Sequence, residues 1–143
     1  MQAPQANTIF RHSLPIQIRF SDVDRFGHVN NNAYFAYYDL GKQEYMRSVL
    51  GPDVFDGDVV PVVANINVDF FLPVHYGDAV SVETAVTRLG EKSFTLEQQA
   101  VRTDTGEMIC RCRTVMVCVR QSDGQSTAIP EESRKLIKEF EQI

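Results

Sequence analysis

The sequence predicts an α+β domain in which an antiparallel sheet curls around one long helix. Three observations point there. Residues 31–50 form a single helical stretch with aromatics on more than one side. The hydrophobic period then switches to two for four successive segments, and only a few turn-forming residues separate those segments. Short links join antiparallel neighbours. A helix that is apolar on several sides needs cover on several sides, so the sheet is expected to bend about it. At 143 residues the chain suits one domain, 1–143, large enough to close a core without disulfides or metal.

Each element has its own signal. Leu14 to Phe20 (LPIQIRF) alternates as a first strand does, and a polar loop, SDVDRFGHVNNNAY at residues 21–34, runs into the helix. From Asn31 to Leu50, Tyr34, Tyr37, Tyr38, Gly41, Tyr45 and Val49 share one helical face, while Phe35, Leu40 and Met46 lie off it. The asparagines at its start are good N-caps, because their side-chain oxygens can accept first-turn amide protons. Leu50-Gly51-Pro52 stops it, with a glycine followed by a residue that cannot continue a helix. Val59–Leu72, Asp78–Leu89, Lys92–Thr103 and Glu107–Arg120 follow as strands, with Val80, Val82, Thr84 and Val86 on one face of the second. Turn chemistry sits between them at Tyr76-Gly77-Asp78, Gly90-Glu91 and Asp104-Thr105-Gly106. A short helix begins near Pro130, with Glu131 and Glu132 in the first turn and Leu136, Ile137 and Phe140 as its apolar edge.

Composition narrows the function. No apolar run approaches the ~20 residues that span a bilayer, and the first fifteen residues lack the apolar core of a signal peptide. A soluble cytoplasmic protein without membrane association is the expectation. The three cysteines, Cys110, Cys112 and Cys118, are odd in number and clustered in one apolar segment. They read as small hydrophobes in a strand, not as disulfides or zinc ligands. A net charge of −5 argues against nucleic acid as a partner, although a few local cations can still hold phosphates.

The polar loop carries the chemistry. Asp24 lies shortly before the helix start, with Gly27 between them to let the backbone turn sharply. A helix N-terminus presents unpaired N–H groups and roughly half a positive charge, which can polarise a substrate carbonyl. A carboxylate beside such donors suits acyl transfer, as nucleophile or as general base on water. A thioester fits well, because its thiolate leaving group has a low pKa, near ~8.5, and needs neither a strong general acid nor a metal. Residue type alone also permits a plain structural reading, in which Asp and Asn merely form turns and caps and His28 is a hydrogen-bonded loop residue.

The run D-x-D-x-x-G-H-V-N-N from Asp22, followed by Tyr34 and an aromatic helix, resembles the 4-hydroxybenzoyl-CoA thioesterase family of hotdog-fold proteins. The likeness extends over nearly the whole chain, through Pro61 and Asn65 entering the central strand and the segment Glu91-Lys92-Ser93-Phe94. It implies an acyl-CoA thioesterase with Asp24 as the catalytic carboxylate and the backbone N–H of Asn31 facing the thioester carbonyl. It implies substrate contacts from Gly27, His28, Asn30, Tyr34, Asn65 and Lys92, with Asp22 a structural partner of the loop. Coenzyme A then enters as part of the substrate, with no separate cofactor and no metal. The resemblance further implies a homodimer or homotetramer with each site at a subunit boundary, Asp24 from one chain and the Asn65 or Lys92 region from the other. Glu91 departs from relatives that carry arginine before the lysine, so Arg88, Arg111, Arg113 or Arg134-Lys135 stand as other candidates for the CoA phosphates. The alternatives are an acyl-carrier-protein thioesterase, a hotdog hydratase or dehydratase using His28 with Asp24, and a non-catalytic acyl-CoA-binding protein.

Overall fold

The computed structural model describes residues 7–54 and 56–143. One antiparallel sheet holds five strands, β1 (His12–Ile16), β2 (Val59–Phe70), β3 (Val80–Leu89), β4 (Ser93–Arg102) and β5 (Met108–Arg120), in the order β1-β3-β4-β5-β2. A long helix, α1 (Asn31–Leu50), lies on one face, and a short one, α2 (Glu131–Glu141), follows β5. The two hairpins β3–β4 and β4–β5 form the middle of the sheet. β2 pairs with β5 along eleven register positions on one edge, and β1 pairs with β3 on the other.

Register decides which residues meet α1. Val82 opposes Ala100, and Leu96 opposes Thr114, so Val80, Val82 and Val86 of β3, Leu96 and Ala100 of β4, and Cys110, Cys112 and Met116 of β5 share the helix side. All are buried. They meet Tyr34, Tyr37, Tyr38, Tyr45 and Met46 in two contiguous clusters. At the crossing point stands Gly41, where a Cβ would come within 2.7 Å of Val82 Cγ1. The glycine lets the helix approach the sheet, and Gln98 fills the remaining polar gap by donating to Tyr38 O at 2.9 Å and to Thr84 Oγ1 at 3.0 Å. The three cysteines are buried, free residues of β5, as the strand reading requires.

Three expectations change. The first strand is His12–Ile16 rather than Leu14–Phe20, because Asp22 accepts the Arg19 N–H at 2.9 Å and winds Phe20–Asp22 into a 3-10 turn. The asparagines do not cap α1 through their side chains. Asn30 is the extended N-cap residue and makes no side-chain cap bond. Finally, α1 is covered less fully than expected: off the tyrosine face Met46 is buried, but Phe35 is 43% and Leu40 54% exposed, since the sheet of one chain reaches around just part of the helix. The inner face of β2 also stays open, with Val63, Ile66 and Phe70 exposed although they share the α1 side with Met116, Thr114 and Cys110. Among the described residues no helix is long and apolar enough to cross a membrane.

Candidate active site

The loop between β1 and α1 is built on two aspartates with opposite surroundings. Asp22 is 5% exposed, and its carboxylate accepts from Arg19 N–H at 2.9 Å, from the Arg19 guanidinium at 3.0 Å and from the Tyr37 hydroxyl at 2.7 Å. Burial pushes its carboxyl up, but these donors outweigh burial and hold it below the ordinary range. Its main-chain oxygen accepts Asn30 N–H at 2.8 Å, so Asp22 ties the end of the loop back to its beginning.

Asp24, two residues on, is only half-buried. Its Oδ1 accepts the N–H of Phe26 at 2.9 Å and of His28 at 3.1 Å, while its own N–H donates to His28 O at 2.8 Å. Gly27, at φ +78°, makes the reversal that brings those amides round. Oδ2 has no hydrogen-bond partner among the described residues. The carboxylate is thus oriented through one oxygen and open at the other.

A cavity of about 560 Å³ opens beside it. Asp24, His28, Asn30, Asn31 and Asn32 form its polar side. Val29, Tyr34 and residues 70–73 at the end of β2 form the rest. The Tyr34 ring stands edge-on to Phe70 at 5.4 Å between centroids, and burial pushes its hydroxyl well above the usual phenol range. At the head of α1, Ala33 N–H donates to Asn30 O at 3.0 Å. The N–H groups of Asn31 and Asn32 have no acceptor among the described residues, so the positive end of the helix dipole is open where both residues line the cavity.

The structure therefore gathers Asp24, His28, Asn30, Asn31 and Tyr34 around one cavity, while Gly27 shapes the loop without forming its wall. Two predicted site residues lie elsewhere in the chain. Asn65 follows an irregularity in β2, opposite Val115, and accepts from Asn67 at 2.8 Å on the face away from α1. Lys92 is exposed on the β3–β4 turn, which packs on α2 through Arg134. Among the described residues no lysine or arginine lines the cavity, and no three His, Cys, Asp or Glu side chains cluster as metal ligands would. Sequence reasoning missed the Phe70–Pro73 wall. Its signal was a strand ending in Phe-Phe-Leu-Pro, but nothing in local spacing joins that segment to a loop some forty residues earlier.

An oriented loop carboxylate and uncommitted helix N–H groups bordering one cavity, with the helix backed by an antiparallel sheet, fit the arrangement that the resemblance to hotdog-fold thioesterases implies. The comparisons agree. The Thioesterase-like superfamily matches residues 18–137, and the chain belongs to that family. The chain is similar to a Thermus thermophilus thioesterase solved with coenzyme A and zinc, at 30% identity, TM-score 0.82 and coverage of 94% of this chain and 96% of that one. It is 23% identical to the acyl-CoA thioester hydrolase YbgC of Escherichia coli O6:H1, over 94% of this chain and 98% of the relative. It is also 21% identical to the 1,4-dihydroxy-2-naphthoyl-CoA hydrolase of Synechocystis sp. PCC 6803, over 80% and 86%.

Proposed function

We propose that this chain hydrolyses acyl-CoA thioesters to a carboxylic acid and free coenzyme A, with Asp24 as the catalytic carboxylate. The observation that carries the reading is the sharing of one cavity by Asp24, with one carboxylate oxygen open, and by Asn31 and Asn32, whose N–H groups have no acceptor among the described residues. The thioester carbonyl oxygen sits against the helix N-terminus, where developing negative charge is stabilised by donors already in place. Asp24 takes a proton from water as the water oxygen attacks the carbonyl carbon, or attacks directly to give an anhydride that water then opens. In either route the carbon–sulfur bond breaks and the sulfur leaves as thiolate, which is protonated to the free thiol. The Phe26 and His28 amides hold Oδ1, so Oδ2 faces the reacting atoms. His28, Asn30 and Tyr34 border the acyl and pantetheine ends of the substrate.

The active form is a homodimer. The open inner face of β2, with Val63, Ile66 and Phe70, and the exposed Phe35 on α1 give a second copy an apolar surface to cover at an unpaired sheet edge. In this reading Asn65 and Lys92 reach a site only as residues of the second copy, which also supplies the cations that the cavity lacks.

Free-thiol release from acetyl-, octanoyl- and benzoyl-CoA by wild type and Asp24→Asn tests the proposal. Turnover by the wild type and a loss of about a hundredfold or more in the nearly isosteric variant are expected. Equal turnover by both would remove Asp24 from the mechanism.

A further inference from the structure

We propose that His75, on the turn between β2 and β3, is a positioning residue for this site: its ring sets His28, and His28 in turn sets the carboxylate of Asp24. The proposal rests on the hydrolase reading for what Asp24 does, but not for how Asp24 is held. Two segments distant in sequence meet here. Val29 N–H donates to Val74 O at 2.7 Å, and His28 pairs with His75 as an isolated antiparallel bridge. Their rings stand edge to face, 4.7 Å between centroids and 78° apart in plane. His28 borders the cavity, and His75, which does not line it, meets it only through the His28 ring.

The side chain of His75 serves no evident packing purpose of its own. It is 54% exposed, and the bridge with His28 is a main-chain pairing that does not require an imidazole. Its backbone is already fixed: Asp78 accepts His75 N–H at 2.8 Å and donates its own N–H to His75 O at 3.1 Å. Asp78 pairs with Arg102 at 3.2 Å, and Arg102 with Glu107 at 3.3 Å. What the imidazole adds is the contact with His28 and an Nδ1 placed 3.9 Å from Asp78 Oδ2, and only the first is kept by a phenylalanine. That contact matters because the main chain of His28 grips Asp24 twice, its N–H donating to Oδ1 at 3.1 Å and its carbonyl oxygen accepting from Asp24 N–H at 2.8 Å. A displaced His28 carries the carboxylate with it, and small misplacements of a reacting group cost rate rather than affinity.

The test compares His75→Ala, His75→Phe, His28→Ala and the double variant His28→Ala/His75→Ala. The substrate is whichever of acetyl-, octanoyl- or benzoyl-CoA the wild type turns over fastest. His75→Ala should lose roughly three- to tenfold in kcat, the size of one edge-to-face ring contact, with KM within about twofold of wild type. His75→Phe, which keeps a flat ring, should restore kcat. In the His28→Ala background, His75→Ala should cost nothing further. The amide resonances of Asp24, Phe26 and His28 give a readout independent of turnover: they should move in His75→Ala and return in His75→Phe. Unchanged kcat and amides in His75→Ala, failure of phenylalanine to restore them, or full additivity with His28→Ala would overturn the proposal. Asp24→Asn measured alongside separates the two readings. If that variant stays active the hydrolase mechanism fails, while the amide shifts still decide whether His75 positions the loop.

Discussion

Near the start of α1, Tyr37 donates its hydroxyl to the buried carboxylate of Asp22 at 2.7 Å; eight residues on, Tyr45 donates to the buried carboxylate of Glu141, also at 2.7 Å. The two anchors look alike but end differently. Glu141 uses its Oε2 for Tyr45 and for Val86 N–H at 2.8 Å, with Arg11 near its other oxygen at 4.0 Å, and it closes α2 over the second core cluster. Asp22 closes the base of a loop, and two residues later Asp24 keeps an oxygen without a partner among the described residues. One end of the helix spends its polar groups on holding structure. The other holds structure with one carboxylate and leaves a neighbouring one, Asp24, half-buried beside the cavity, where the proposed chemistry would take place.

Glu141→Ala should have the largest effect on stability. It strands the Tyr45 hydroxyl and Val86 N–H in the interior, a loss of about 3 kcal/mol from two unsatisfied groups. Urea unfolding would show it as a lower midpoint, with kcat below the transition unchanged. A fall in kcat at a temperature where the variant is folded would mean that the two ends of α1 are coupled.

The sequence made the architecture legible because the architecture rests on periodicity. The tyrosines of α1, the alternation of β3 and the glycine-bearing turns all point to a helix on an antiparallel sheet, and the limits of β2 to β5 shift by only a residue or two. It failed where a local side-chain bond outcompeted pattern, as when Asp22 turned the expected end of the first strand into a 3-10 turn. The loop half of the cavity was legible because Asp24, His28, Asn30 and Asn31 lie within one short run. The Phe70–Pro73 wall and His75 were not, because antiparallel pairing over tens of residues brings them there, and such register is a property of the folded sheet.

Tyr37→Phe and Tyr45→Phe sharpen the comparison at smaller cost. Each removes one hydroxyl from a buried carboxylate, for about 2 kcal/mol by thermal or urea unfolding. Only Tyr37→Phe should also lower kcat, because Asp22 O holds Asn30 N–H and thereby the head of α1. Equal kcat in the two variants would mean that Asp22 anchors the fold without ordering the site.

The smallest effect is the Asp22 share of the protein's pH dependence. Despite its burial, the carboxyl of Asp22 is held below its ordinary value by the donors from Arg19 and Tyr37. A group whose folded pKa is depressed binds fewer protons in the native state than in the unfolded chain. Its stabilisation is therefore fully present above the unfolded value of ~3.9 and is lost as pH falls through the lower folded value. Asp78, held down by His75 N–H and by Arg102, contributes in the same direction. Tm measured from pH 6 down to pH 3 should fall in the wild type and fall less steeply in Asp22→Asn, which has no proton to take up at that position. Parallel curves for the two proteins would place the acid sensitivity elsewhere, with Asp78→Asn the next variant to compare, and would leave Asp22 as a hydrogen-bonding anchor whose charge is not needed.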